Sequence, residues 1–173
     1  MGVPPTGSPY LNPEKEIEKH KPSLLPHWQQ DSKLYFVTWR LADSLPAEKL
    51  KELNDDRNAW LAQHPEPWSD AIEKEYHDLF AQTIDHWLDA GNGECVLKDP
   101  AIAKKVADAL LHFDGERYLL DSFVVMPNHV HVLVKPLADN VLSDLLHSWK
   151  SFTSHRIKEL RPACEQVWME ESH

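Results

Sequence analysis

The chain predicts an α+β fold in which helices pack on one face of an antiparallel sheet. Three observations carry this expectation. Residues 33–41 form a run rich in aromatic and β-branched residues. Residues 117–134 hold a second such run, divided by Pro127-Asn128 in the manner of a hairpin. Between and beyond these runs, apolar residues recur at helical spacing.

The elements follow in order. Residues 1–27 contain Pro4, Pro5, Pro9, Pro13, Pro22 and Pro26 and read as an extended arm, which leaves 28–173 as the domain. Lys-Leu-Tyr-Phe-Val-Thr-Trp-Arg-Leu at 33–41 is the first strand. Ser44-Leu45-Pro46 opens a helix, with Ser44 as the expected cap. The pattern breaks at His64-Pro65-Glu66-Pro67. Ser69 is expected to cap a second helix, whose stripe is Ile72, Tyr76, Leu79, Phe80, Thr83, Trp87 and Leu88. Gly91-Asn92-Gly93 ends it, and 94–97 is a short strand candidate. Asp99-Pro100 starts a helix with Ile102, Val106, Ala109, Leu110 and Phe113 on one face. After the hairpin, a helix from Asn140 to about Leu160 carries Leu142, Leu145, Leu146, Trp149, Phe152, Ile157 and Leu160 as its stripe.

Composition narrows the function. Hydrophobic residues make up 42%, enough for a core, and 7 Trp against 5 Gly argue against low complexity. No apolar run is long enough for a membrane span, and no secretory leader is visible, so a cytoplasmic protein is expected. Cys95 and Cys164 match no metal spacing and read as reduced thiols. A net charge of -10 argues against general nucleic-acid binding, but residues 117–161 are net positive. The least acidic part of the chain is the part that holds its most distinctive motif.

That motif is Met126-Pro127-Asn128-His129-Val130-His131-Val132-Leu133-Val134. Successive side chains of a strand point to opposite faces. His129 and His131 therefore share one face as neighbours, and Val130, Val132 and Val134 share the other. Two imidazoles side by side on a strand can hold a divalent metal, with a further ligand and waters completing the shell. An isolated His-x-His is more often a pair of ordinary strand residues; the longer string around this one favours the metal reading.

The string resembles the signature of the tyrosine transposases of small insertion sequences, in particular their REP-associated branch. Tyr35 to Leu41 resembles that family's opening strand, and residues 117–125 the strand leading into the motif. Trp149-Lys150-Ser151-Phe152-Thr153 resembles its post-motif helix, and residues 167–172 the tryptophan segment that follows. The resemblance implies an RRM-like or ferredoxin-like sheet and Mg²⁺ or Mn²⁺ on His129 and His131. It also implies a tyrosine that attacks single-stranded DNA, and recognition of hairpin DNA. Lys135, Lys150, Ser154, Arg156 and Lys158 are the expected DNA contacts. Trp28, Trp39 and Trp149 could stack on bases, although core packing suits Trp39 and Trp149 better.

The chain departs from the family in one respect. Its tyrosines are Tyr10, Tyr35, Tyr76 and Tyr118, and none follows His131. The nucleophile is expected beyond His173, so the chain reads as a fragment of a transposase or a decayed copy. Two other readings stand beside a nicking transposase: a non-catalytic binder of hairpin or single-stranded DNA, and a metal-dependent hydrolase that uses water. The oligomeric state is open.

Overall fold

A computed structural model describes residues 18–20, 27–29 and 33–172. Strands β1 (Glu18–His20) and β2 (His27–Gln29) pair antiparallel within and just beyond the stretch expected as an arm. The rest of that arm lies outside the described residues.

The main sheet is four-stranded and antiparallel. It contains β3 (Tyr35–Leu41), β4 (Tyr118–Val125), β5 (His129–Pro136) and β6 (Trp168–Ser172), in the spatial order β4-β5-β3-β6. Helix α4 (Pro100–Leu111) lies between β3 and β4, and α5 (Leu142–Leu160) between β5 and β6. This is the split βαβ arrangement of ferredoxin-like folds. The expected fold class is therefore correct, and β5 is internal.

Alternation along the strands fills the core. Tyr35, Val37, Trp39 and Leu41 of β3 join Val130, Val132 and Val134 of β5. Against them pack Ile102, Val106 and Leu110 of α4, and Leu145, Trp149 and Ile157 of α5. Tyr118 anchors this layer: its hydroxyl donates to Leu110 O at 2.7 Å and accepts from Trp149 Nε1 at 3.1 Å. A register shift between Leu120 and Ser122 in β4 returns Phe123 and Val125 to the core side.

A second apolar cluster is local to the region between β3 and α4. Helices α1 (Ala47–Gln63), α2 (Asp70–Tyr76) and α3 (Gln82–Asp89) enclose Leu53, Tyr76, Phe80, Ile84 and Leu88 together with Leu45. Tyr76, Phe80, Ile84 and Leu88 repeat every four residues. In an α-helix each such step over-rotates by about 40°. A wide π-helical turn at His77–Ala81 takes up part of that drift.

Four local expectations need correction. Ser44 does not cap α1; it is buried, donates to Leu41 O at 2.7 Å and accepts from Arg40 Nη1 at 3.3 Å. Ser69 does stand at the N-cap position of α2, with extended backbone, but its side chain makes no cap bond. Residues 94–97 are not a strand: Cys95 is left-handed (φ 52°) and leads into a 3₁₀ turn at Val96–Lys98. Phe152 and Leu160 are exposed, because the buried line of α5 runs through Leu145, Trp149, Thr153 and Ile157, to which both are offset. Among the described residues no helix is long and apolar enough to cross a membrane.

Candidate metal and nucleic-acid site

Helices α4 and α5 cover the valine face of the sheet. His129 and His131 stand on the opposite face of β5, across from Arg40 and Thr38 of β3. The turn before them explains Met-Pro-Asn. Met126 N donates to His129 O at 2.9 Å and closes a tight turn over Pro127 and Asn128. Leu97 N donates to Pro127 O, and Leu41 N to Asn128 O. Both turn carbonyls are thus tied to neighbouring segments.

Asn128 is fully buried. Its Nδ2 donates to Leu88 O and to Asn92 O, both at 3.1 Å. Those two carbonyls fix the amide orientation, so Oδ1 must face His129 Nδ1 at 2.8 Å. An amide oxygen only accepts, so His129 carries its proton on Nδ1. Its Nε2 therefore presents a lone pair.

That lone pair points at its neighbour: His129 Nε2 and His131 Nε2 are 2.9 Å apart, with the rings nearly perpendicular at 81°. Without a cation, His131 Nε2–H donates to His129 Nε2, and Thr38 Oγ1 donates to His131 Nδ1 at 2.7 Å. With a cation between the two Nε2 atoms, His131 would carry its proton on Nδ1 and donate to Thr38. A threonine hydroxyl serves in either role. Two ligands about 2.1 Å from an octahedral ion and 90° apart stand about 3.0 Å from each other. The observed spacing fits that arrangement, and outer partners such as Asn128 and Thr38 are what orient ligating imidazoles.

The site grades from dry to wet. His129 is 1% exposed. His131 is half-buried and stacks on Phe36 at 5.3 Å and 18°. Phe36 is 63% exposed, and Val124, across from His131 on β4, is also exposed. Arg40, across from His129, is buried. Asp89 Oδ1 at the end of α3 lies 4.0 Å from His129 Nε2. Among the described residues no three His, Cys, Asp or Glu side chains gather as a metal cluster.

The structure separates the expected DNA contacts. Lys135 follows the histidine pair on the same face of β5, by alternation. Lys150, Ser154, Arg156 and Lys158 belong to α5, across the sheet from the histidines. Lys150 Nζ donates to Met169 O at 2.5 Å, and Arg156 pairs with Glu159 and lies over Phe152. Trp39 and Trp149 are stacked in the core, and the side chain of Trp28 lies outside the described residues. Tyr35 and Tyr76 are core residues, as is Tyr118. Burial raises the Tyr76 and Tyr118 hydroxyls above the usual tyrosine range. Tyr10 lies outside the described residues.

Sequence reasoning found the histidines but not Thr38, Phe36, Arg40 or Asp89. Pairing of β3 with β5 brings the first three to the site, and that pairing is not written in any local pattern.

Comparison with known proteins agrees with the resemblance. Residues 99–173 match the family model for transposases of the IS200-like type. No curated protein matches the chain. A solved REP-associated tyrosine transposase bound to a REP hairpin is similar at 13% identity and a TM-score of 0.43, with 87% of this chain and 61% of that chain covered.

Proposed function

We propose that this chain, whose residues 99–173 match the IS200-like transposase family, handles single-stranded or hairpin DNA at the face of β5 that bears His129 and His131. The observation that carries the reading is the convergence of two imidazole Nε2 atoms at 2.9 Å within that matched segment. Asn128 and Thr38 orient the two rings from behind.

On this reading His129 and His131 hold Mg²⁺ or Mn²⁺, the hard ions suited to phosphate oxygens. When bound, such an ion polarises a phosphodiester and offsets developing charge. The protein's own part is positional. The internal strand fixes both imidazoles, Phe36 offers a flat exposed ring beside His131, and Lys135 adds positive charge on the same face. An aromatic ring on an open sheet face is a stacking platform for unpaired bases. Lys150, Ser154, Arg156 and Lys158 would meet a separate stretch of DNA across the sheet.

A second reading, a DNA binder that does not cleave, is favoured by one observation. Tyr35, Tyr76 and Tyr118 are all buried in the two cores, and none faces the histidines. The test is an incubation of the 173-residue chain with labelled hairpin DNA and Mn²⁺. Binding without a covalent adduct is expected, with affinity that falls as salt rises. A denaturation-resistant protein–DNA adduct would overturn the non-cleaving reading, and absence of any DNA binding would overturn both.

A further inference from the structure

Large apolar side chains left in water need a reason when they gather with charge of one sign. Among the described residues, Phe36, Leu119 and Val124 are exposed on the open sheet face. Leu79, on the π-helical turn, and Phe152 and Leu160, on α5, are exposed elsewhere. These three belong to two surfaces of opposite charge.

The first surface is a groove in the helical segment. Leu79, Thr83 and Trp87 form a row at every fourth residue, and Glu52, Asp56 and Trp60 form a matching row on α1. The two rows border a space of about 400 Å³, with the buried Leu53 and Phe80 beneath. Glu52 and Asp56 are exposed at its rim. They stand in a segment, residues 47–93, that holds 11 Asp and Glu against 4 Lys and Arg. Lys49 Nζ lies 5.1 Å from the centre of the Trp87 ring, so this aromatic wall takes a cation on its face. A groove of this kind suits an apolar ridge that carries positive charge.

The second surface is such a ridge. Phe152, Arg156 and Leu160 follow one another at every fourth residue of α5, a helix with 4 Lys and Arg against 2 Asp and Glu between residues 142 and 161. Rows of this spacing interdigitate in the commonest class of helix packing. Phe152 and Leu160 are both 47% exposed, so their own chain leaves the ridge open. Arg156 pairs with Glu159, but both side chains are about half exposed, and such a pair holds its partners weakly. Arg156 is therefore available to a carboxylate on another molecule.

We propose that the groove between α1 and α3 of one copy receives the Phe152–Arg156–Leu160 ridge of a second copy, with Arg156 facing Asp56. The two patches differ, so the contact joins copies head to tail, or in a reciprocal pair when both patches engage at once. It is independent of the DNA reading, and neither surface includes the histidine pair.

The test is sedimentation equilibrium over a series of protein concentrations. The parent should exceed the mass of one chain as concentration rises, and should return towards it as salt is added. Asp56→Lys and Arg156→Glu should each weaken association at least tenfold. An equal mixture of the two should regain a dimer, because the intact ridge of the first meets the intact groove of the second. That recovery would also show that both variants fold. Asp108→Lys makes the same charge change on α4, where Asp108 pairs with Lys104, and should match the parent. A parent that keeps the mass of one chain at its highest soluble concentration overturns the proposal. So do single variants that associate as the parent does, and a mixture that stays at the mass of one chain. If Arg156→Glu weakens binding to hairpin DNA and leaves the mass of the protein unchanged, the ridge serves DNA and the contact between copies is refuted.

Discussion

Asn128→Ala is the substitution that most directly probes how the site is built. The amide makes three hydrogen bonds, two of them buried: Nδ2 to Leu88 O and, part-buried, to Asn92 O at 3.1 Å each, and Oδ1 to His129 Nδ1 at 2.8 Å. Truncation removes the partner of two carbonyls and one imidazole N–H. A buried polar group left without a partner costs about 1–3 kcal/mol, and water can reach part of this set at the loop around Asn92. A net loss of about 3 kcal/mol follows, which corresponds to roughly 6–12 °C in melting temperature for a chain of this size. Asn128→Asp should be no milder, because a carboxylate would face two carbonyl oxygens in place of the donors.

The second half of the prediction separates position from mere stability. Without Oδ1, His129 is no longer committed to the Nδ1–H tautomer, and its lone pair need not point at His131. Loss of an orienting partner typically costs about 10–100-fold in metal affinity. The assay is thermal denaturation together with Mn²⁺ titration well below both melting temperatures. A lowered melting temperature with unchanged Mn²⁺ affinity would refute the orienting role. An unchanged melting temperature would refute the burial argument as well.

Further outcomes can be checked with equally simple variants. Phe36→Ala, at a 63% exposed position, should leave stability nearly unchanged and weaken single-stranded DNA binding by about 1–3 kcal/mol, measured by fluorescence anisotropy; equal affinity would remove Phe36 from the interface. Tyr118→Phe strands Leu110 O and Trp149 Nε1 in the core and should cost about 1–3 kcal/mol in urea denaturation. The Tyr118 hydroxyl is raised chiefly by burial, so the folded state holds its proton more tightly than the unfolded chain. Its contribution is complete below the unfolded value near pH 10 and is lost as pH climbs towards the folded value, so Tyr118→Phe should flatten the alkaline fall in stability. Gly93→Ala places a Cβ 2.6 Å from Asp43 O at φ +85°, and a clear drop in melting temperature is expected.

The legible part of this protein was the part governed by local alternation. Residues 129–134 wrote their own two faces: the valines went to the core and the histidines to the other side, as a period of two requires. Asp99-Pro100 likewise announced α4, and the Asp99 carboxylate accepts from Ala101 N. Local pattern failed where a distant partner decided the outcome. Ser44 looks like a cap beside Pro46, but its hydroxyl is taken by Leu41 O and Arg40 in a buried corner. Residues 94–97 have strand composition, but Glu94 N is claimed by Asp43 Oδ2 and Leu97 N by Pro127 O, and neither bond extends a sheet. Phe152 fits a loose apolar stripe, but the four-residue rhythm of the buried line leaves it outside, beneath Arg156.

The same contrast accounts for the layout of the site. In a ferredoxin-like sheet, helices α4 and α5 cover one face and leave the other to be explained. Here the open face carries exposed Phe36 and Val124 beside the half-buried His131, and exposed Leu119 further along, across from Lys135. Apolar residues gathered on an uncovered face signal a binding surface more often than chance. At one end of that surface, the 47–93 helical segment closes over His129 and leaves it 1% exposed. The pair is therefore asymmetric: His129 is locked by Asn128 in a dry corner, and His131 rests under an exposed ring with an adjustable hydroxyl behind it. On the proposed reading, a rigid imidazole beside an adaptable one would suit an ion shared between the protein and an arriving phosphate. Thr38→Val probes the adaptable half. It removes the hydroxyl that either tautomer of His131 needs, and should weaken Mn²⁺ binding by about tenfold or more. Single-stranded DNA affinity measured in EDTA should stay unchanged, because Phe36 and Lys135 are untouched. Parallel losses in both assays would mean that Thr38 supports the surface as a whole, and would overturn the division between an ion-holding corner and a base-stacking face.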